Sequence, residues 1–226
     1  NSDKLTELII PDSVTSIKGI VMWDDWNGYS ISPLSIEEFV APQDIVVNVA
    51  EGEIAEAVET AKAAVKKVGK ITINLTEGVS YTIANSIVAP AALVINGNGA
   101  TVEASALGAN FIQSAVTEEA KTVDSIAVLN VTVKGLGKAL YYSAGKNIGI
   151  SNFVVDNSVI EMAKDVVVFD FTKGSAAMNF AVKNSTIYAP TATTKSIYSS
   201  QGGEKGDAYG ATVDTPQTFC FENTTL

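Results

Sequence analysis

The amino-acid sequence predicts an all-β protein: a parallel β-helix that follows one capping helix and a short β-rich N-terminal segment. Two observations favour this solenoid. Short β-rich runs separated by Gly, Asn, Ser and Lys fill the chain from Lys70 onward, and a pattern centred on asparagine recurs four times among them. Solenoids are built from such repeats, because each coil packs only against its neighbours. We therefore divide the chain into a β-rich segment over residues 1–50 and a β-helix over residues 51–226.

The N-terminal segment combines turn-forming residues with short apolar runs, for example at residues 8–10 and 20–23, which predicts a few short strands. Both tryptophans of the protein lie here, within one seven-residue stretch. Exposed aromatic rings stack on sugars and carboxylates accept hydroxyl hydrogen bonds, whereas the alternative is that the tryptophans are buried against the solenoid. The candidate ligand-binding residues of this stretch are Trp23, Asp24, Asp25, Trp26 and Tyr29.

A helix is predicted near residues 52–68. Its apolar residues follow steps of four, three, four and three, which places them on one helical face. Acidic residues occupy the first turns and lysines the last, as the helix dipole favours, and Gly69 follows as a C-terminal stop. The apolar residues are Ile54, Val58, Ala61, Val65 and Val68.

The recurring pattern has an asparagine with apolar residues four and two positions before it and three positions after it. Asn tolerates the left-handed backbone conformation of a bend, and asparagine side chains can hydrogen-bond from coil to coil. We expect a ladder of amides that turn inward at one bend. Its members are Asn130, Asn152, Asn184 and Asn223.

Two further columns follow from the same alignment. Apolar residues at 111–112, 140–142, 166–171 and 197–198 predict a third side of each coil. Three positions before each ladder asparagine, an outward column contains only small residues, so we expect another surface to lie against it: the N-terminal segment, a loop within residues 191–215, or a ligand. The alternative is that the four small residues share this column by chance. The column consists of Ala127, Gly149, Ala181 and Cys220.

The helix, the strand and turn at residues 71–78 and the segment Leu93-Val-Ile-Asn-Gly-Asn-Gly-Ala-Thr-Val102 resemble the opening of a pectate-lyase-like right-handed parallel β-helix. The resemblance implies that the helix covers the first, otherwise open edge of the stack. The chain is also similar to the surface-exposed β-helix domains of unknown function found in Bacteroidetes, many of which are lipoproteins. This second similarity implies an extracellular or cell-surface location, with a lipid anchor on a removed N-terminal region.

Composition restricts the chemistry. The net charge is −10, and all fifteen cationic residues are lysine. Such a charge disfavours nucleic-acid partners, and the absence of His and Arg removes histidine bases, Ser–His triads and guanidinium clamps. A single cysteine allows no internal disulfide, and Pro90 interrupts the longest apolar stretch, so we expect no membrane span.

Polysaccharide lyases of the resembling superfamily bind Ca²⁺ through carboxylates and use an Arg or Lys base. This chain has no Arg to match that role. Lys134 follows the inward Val133, and Asp156 and Tyr188 are its equivalents on the next coils in the asparagine alignment. This column is a candidate saccharide surface, with a merely solvated face as the alternative. We assign no catalytic residue, no metal ligand and no cofactor. Ca²⁺ is expected only if the protein is a lyase.

Three functions remain open. The first is a non-catalytic secreted or surface module that binds polysaccharide or mediates surface interactions. The second is a lyase or glycoside hydrolase that acts through carboxylates and Lys. The third is a structural spacer in a larger surface protein.

Overall fold

The computed structural model describes residues 14–24, 28–38, 40–114, 121–145, 147–164, 166–191, 196–200 and 216–226. The chain divides into two compact units, Asn1–Pro42 and Gln43–Leu226. In the first unit, β1 (Val14–Asp24) and β2 (Gly28–Glu38) form an antiparallel pair in which Trp23 lies opposite Tyr29. These strands are longer than the short runs expected, and the second unit begins before residue 51.

The second unit alternates short strands with turns after a single early helix. Its elements are β3 (Gln43–Val49), α1 (Ile54–Ala63), β4 (Val68–Leu75), β5 (Ser80–Thr82), β6 (Ile87–Ala89), β7 (Ala92–Asn96), β8 (Thr101–Glu103), β9 (Ile112–Ser114), β10 (Lys121–Leu129), β11 (Thr132–Leu136), β12 (Tyr141–Tyr142), β13 (Ile148–Asp156), β14 (Val159–Met162), β15 (Val167–Phe171), β16 (Ala176–Lys183), β17 (Thr186–Tyr188), β18 (Ser196–Ser200) and β19 (Thr218–Glu222).

These strands form three parallel sheets. The first sheet has the order β19-β16-β13-β10-β7-β4-β3, the second has β17-β14-β11-β8-β5 and the third has β18-β15-β12-β9-β6. Each complete coil therefore gives one strand to each sheet, from β4-β5-β6 to β16-β17-β18. The predicted all-β parallel β-helix is confirmed, and the predicted third side of the coils is the third sheet.

The core lies between the three sheets. Side chains of successive strands stack in columns, one of which runs through Ile71, Leu93, Ile126, Phe153 and Phe180. All five are at most 1% exposed. The rings of Phe153 and Phe180 stack with centroids 5.8 Å apart. Within the described residues, every buried side-chain nitrogen or oxygen has a hydrogen-bond partner, as close packing without free polar groups requires.

Helix α1 covers the start of the solenoid. It contacts β3 and β6, and Ile54 and Val58 on its inner face are buried. Glu53, its N-cap residue, forms a parallel bridge with Thr82. The helix is shorter than the predicted 52–68, because Val68 and Gly69 belong to β4, where Val68 pairs with Gln43 of β3.

The register of the first sheet corrects the asparagine ladder. Asn130 donates its backbone N–H to Asp156 O, and Asn157 donates to Lys183 O, so Asn157 rather than Asn152 follows Asn130 on the next coil. The corrected column is Asn130, Asn157, Asn184 and Asn223, with φ of 52°, 48°, 47° and 47°. The prediction for Asn152 is therefore wrong.

The amides of this column do not turn inward as expected. Asn157 Nδ2 donates to Asn130 Oδ1 at 3.0 Å, and Asn223 Nδ2 donates to Asn184 Oδ1 at 3.2 Å. Asn184 Nδ2 instead donates to Asp156 Oδ1 at 2.9 Å. Asn130 is half-buried and the other three are exposed. Outward amides keep contact with water, which avoids the cost of burying donors without partners.

Asn152 belongs to a different polar column, in the middle of the first sheet. It lies between Ser125 and Asn179 in the register, and Thr218 follows Asn179. Asn179 Nδ2 donates to Asn152 Oδ1 at 3.2 Å, and Thr218 Oγ1 donates to Asn179 Oδ1 at 2.8 Å. Two outward columns of polar side chains, rather than one, therefore hydrogen-bond between the strands.

Candidate functional site

The predicted saccharide column on the second sheet has a different membership from the one expected. Lys134 lies opposite Glu103, with Nζ and Oε1 4.0 Å apart. Glu161 lies opposite Tyr188 and accepts a hydrogen bond from its hydroxyl at 2.8 Å. That hydrogen bond raises the pKa of Tyr188. Lys134 and Glu161 therefore each have a partner within this column.

Asp156 is not part of that column, so the structure does not bring it together with Lys134 and Tyr188. It ends β13 in the first sheet, where it accepts the amide of Asn184. The physical reason is the same shift that misplaced Asn152. The predicted alignment uses Asn152 where the register has Asn157, five residues later. It therefore puts Asp156 in the column position that Glu161 occupies.

The expected column of small residues is also wrong at this coil. Ala127 lies opposite Val154, which lies opposite Ala181, and Ala181 lies opposite Cys220. The same column continues through Val94, Thr72 and Val46 in the earlier coils. Gly149 has no place in it. With three valines present, the close approach of another surface has no support here. Cys220 is exposed, as its outward position predicts.

The tryptophan segment is described only in part. Trp23 is 62% exposed, and Asp24 and Tyr29 lie in β1 and β2. Asp25 and Trp26 lie outside the described residues. Sugar binding by this segment stays a prediction.

A cleft of about 440 Å³ opens on the outer face of the third sheet, at the corner where the chain arrives from the second sheet. It crosses three consecutive coils, those of β9, β12 and β15. Small residues form much of its lining, because coils with short side chains at the same corner leave a depression. The lining residues are Gly108, Ala109, Asn110, Lys138, Ala139, Tyr142, Val166, Val167 and Asp170.

Polar groups converge in this cleft from neighbouring strands. Tyr142 and Asp170 are register partners on β12 and β15, so their backbones lie about 5 Å apart. Asn110 is held in place because its Oδ1 accepts a hydrogen bond from Ala139 N at 3.2 Å. Among the described residues, the Tyr142 hydroxyl, the Asp170 carboxylate and Asn110 Nδ2 make no hydrogen bond, so all three are available to a ligand.

Asp170 is the electrostatically unusual residue of the cleft. Partial burial raises the pKa of its carboxyl group. Lys138 lines the same cleft but forms no ion pair with it within the described contacts. A half-buried carboxylate without a partner carries a desolvation cost that a hydrogen-bonding ligand can offset, and such groups mark candidate binding sites.

Sequence reasoning missed this cleft. Alternation predicts one ring of Tyr141-Tyr142 at the surface, and adjacent predicted coils leave open that Asp170 approaches Asp156 and Asp165, but neither expectation pairs Tyr142 with Asp170. The signal that could have found it is the recurrence of small residues two to four positions before β9 and β12, at Gly108-Ala109 and Ala139. Coil register is needed to place these residues side by side.

Two other classes of site find no support in the described part of the chain. No group of three or more acidic, His or Cys residues there could hold a metal ion. No helix found there has the length and hydrophobicity needed to cross a membrane.

Fold and cleft together define a parallel β-helix protein with a polar cleft of small-ligand size. The chain belongs to the family described as a domain of unknown function, DUF4957, whose model matches residues 65–190. The match extends over β4 to β17 and includes every cleft residue. Searches of curated proteins and of solved structures return no match.

Proposed function

We propose that this chain is a non-catalytic carbohydrate-binding β-helix module, and that its sugar site is the cleft on the third sheet. The observation that carries the proposal is the pairing of Tyr142 with Asp170 on adjacent strands inside the cleft. An aromatic ring offers a face for stacking on a sugar ring. A carboxylate and an amide beside it accept and donate hydrogen bonds to sugar hydroxyls.

The size of the cleft supports a small ligand. Its volume of about 440 Å³ lies within the range of small-molecule sites, roughly 300–1,000 Å³. Its polar groups are held on strands, and Asn110 is fixed by a backbone hydrogen bond. Groups fixed before binding lose little conformational entropy when a ligand arrives.

The lining favours binding over hydrolysis. Most glycoside hydrolases place two carboxyl groups around the bond that they cleave. The described lining contains one carboxyl group, that of Asp170, and neither His nor Arg is present in the chain. The enzymatic alternative, a lyase or hydrolase acting through carboxylates and Lys with Ca²⁺, therefore has less support than binding.

The cellular setting is part of the proposal. We place the module outside the cell, secreted or at the cell surface, as in the Bacteroidetes β-helix domains that the chain resembles. This placement and the kinship with pectate-lyase-like right-handed β-helices rest on the resemblance of the capping helix and of residues 93–102.

A glycan array tests the proposal when the purified protein is compared with the variants Tyr142→Ala and Asp170→Asn. We expect wild-type binding to a set of polysaccharides, with affinity reduced about tenfold in Tyr142→Ala. Tyr188→Ala is the matched control, since Tyr188 is an outward tyrosine on another sheet. Equal binding by all variants would contradict the cleft as the site.

The array also separates the alternatives. A spacer would bind none of the glycans. An enzyme would release unsaturated or shortened products from uronic-acid polysaccharides at alkaline pH with Ca²⁺, and it would do so in a manner sensitive to Asp170→Asn.

A further inference from the structure

A second cavity of about 230 Å³ adjoins the cleft at the same corner of the solenoid. The two cavities share Gly108 and Lys138, so a ligand that fills one can extend into the other. The second cavity is lined by Ser105, Ala106, Leu107, Gly108, Gly135, Gly137, Lys138, Ala163 and Lys164.

The charge of the second cavity is opposite to that of the protein as a whole. It contains Lys138 and Lys164, and no acidic residue lines it in the described part of the chain. The ion pairs found among described residues involve Lys62, Lys134 and Lys183 instead. Within the described ranges neither Lys138 nor Lys164 has a counter-ion, so the two lysines create a local attraction for an anion in a protein of net charge −10.

Gly137 explains how the two lysines come together. An ideal Cβ at this position would lie 3.7 Å from both Cδ and Cε of Lys164, so the Lys164 stem lies over Gly137. Gly137 directly precedes Lys138. The stem of Lys164 thus lies beside the backbone just before Lys138, and both lysines line the same cavity.

The first cleft has a different preference, because the carboxylate of Asp170 lines it together with the shared Lys138. Asp170 has no ion-pair partner among the described residues, so it repels an anionic group near Tyr142 and accepts hydrogen bonds from neutral hydroxyls. The two adjoining cavities therefore differ in the sugar that each favours: neutral beside Tyr142 and Asp170, anionic beside Lys138 and Lys164.

We infer that the ligand is an oligosaccharide in which a neutral sugar adjoins one bearing a carboxylate or sulfate. The neutral ring lies at Tyr142 and Asp170, and the anionic group lies between Lys138 and Lys164. Lysine ammoniums act as point charges rather than as planar forks, so they accept either anion. This inference rests on the proposed function, because it assigns the ligand class of the same site.

Calorimetric titration with defined oligosaccharides tests the inference. The first ligand is a hyaluronan hexasaccharide, in which glucuronate alternates with a neutral amino sugar. Its carboxyl-reduced counterpart is the neutral reference, a keratan sulfate hexasaccharide tests sulfate, and a galacturonate hexamer tests an acid on every ring. We expect at least one alternating anionic ligand to bind about tenfold or more tightly than the neutral reference, and more tightly than the galacturonate hexamer.

The variants Lys138→Met and Lys164→Met keep the aliphatic stems and remove the charges. Each is expected to lower the affinity for the anionic ligand about tenfold. Lys164→Met should leave the affinity for the neutral reference unchanged, because Lys164 lines the second cavity alone whereas Lys138 lines both. Lys70→Met, an exposed lysine at the first sheet, is the matched control and should bind like wild type. Circular dichroism and melting curves verify that each variant is folded.

The outcomes separate the two proposals. Binding that is lost in Tyr142→Ala but is equal for anionic and neutral ligands, or unchanged in both lysine variants, would overturn this inference alone. Tighter binding of the galacturonate hexamer than of the alternating anionic ligands would contradict a neutral subsite at Tyr142 and Asp170. Absence of any binding that depends on Tyr142 would overturn the proposed function itself.

Discussion

At the scale of single residues, Gly97 lies where two neighbouring coils come into backbone contact. A Cβ added there would clash with Val131 Cβ and would lie 2.5 Å from Asn130 O and 2.8 Å from Val131 Cα. Backbone cannot move aside as a side-chain end can, so we expect Gly97→Ala to lower the free energy of unfolding by about 1–3 kcal/mol. Gly108→Ala is the control, because nothing lies within 4 Å of its added Cβ. Urea denaturation measures both, and equal stabilities would contradict the coil contact.

Asn157 and Asn152 provide a residue-level test of the register. Asn157 has φ of 48° and hydrogen-bonds to Asn130, so we expect Asn157→Ala to cost about 1–2 kcal/mol in unfolding free energy. Asn157→Gly should recover much of this loss, since glycine accepts the same backbone conformation. Asn152→Ala removes one exposed hydrogen bond, from Asn179 Nδ2, and changes no residue of positive φ, so it should cost less than Asn157→Ala, about 0.5–1 kcal/mol. A larger loss for Asn152→Ala in denaturant titrations would favour the alignment that the register rejects.

Tyr141 gives the stability a pH dependence. Burial raises its pKa to about 12 from 10.0. Below pH 10 the hydroxyl is protonated in both states. Between pH 10 and 12 the unfolded chain releases the proton and the folded chain retains it, so the free energy of unfolding falls by an amount on the order of 2 kcal/mol. Tyr141→Phe should remove this part of the fall. Denaturation curves between pH 9 and 11.5 provide the measurement, and an unchanged slope in Tyr141→Phe would contradict the assignment.

At the scale of elements, Glu53 connects α1 to the first coil. Its Oε2 accepts a hydrogen bond from Glu56 N at 2.6 Å, and its Oε1 accepts one from Ala84 N at 2.9 Å. We expect Glu53→Ala to lower the free energy of unfolding by about 1–2 kcal/mol, because both the helix cap and the hydrogen bond to the coil are lost. Glu59→Ala breaks only the exposed pair with Lys62 and should cost about 0–1 kcal/mol. If thermal unfolding shows that Glu59→Ala is the more destabilising change, the hydrogen bonds of Glu53 do not connect α1 to the coil.

At the scale of the whole molecule, stability should vary along the solenoid. β13 pairs with β10 and β16 on its two sides, whereas β19 lies at one edge of the first sheet. Phe219 and Phe221 of β19 are 48% and 47% exposed, while Phe153 of β13 is fully buried. Solenoid coils contribute stability through nearest-neighbour contacts, so edge strands open at lower free energy. Native-state hydrogen exchange should show slower exchange for β13 amides than for β19 amides, and equal protection would contradict an ordered gradient.

Local sequence pattern is sufficient to predict the class of fold and the inner face of most strands. Alternating apolar residues become core columns whatever the coil lengths are, and the apolar stripe from Ile54 to Val58 becomes the buried face of α1. These features depend on local periodicity, which a single segment displays without its neighbours. The third sheet could be predicted for the same reason, because its strands are short apolar runs at matching places in each coil.

Which residues lie side by side on neighbouring coils depends on strand pairing, which the local pattern does not specify. Asn152 has apolar residues four and two positions before it and three after it, and so does Asn157, with Phe153, Val155 and Ile160. Two alignments five residues apart therefore satisfy the same pattern, and the hydrogen bonds of β13 to β10 and β16 choose between them. The cleft depends on this choice as well, since Tyr142 and Asp170 come from different coils. Variable turns separate those coils along the chain, and the partners of a parallel stack are fixed by pairing between strands rather than by distance in sequence.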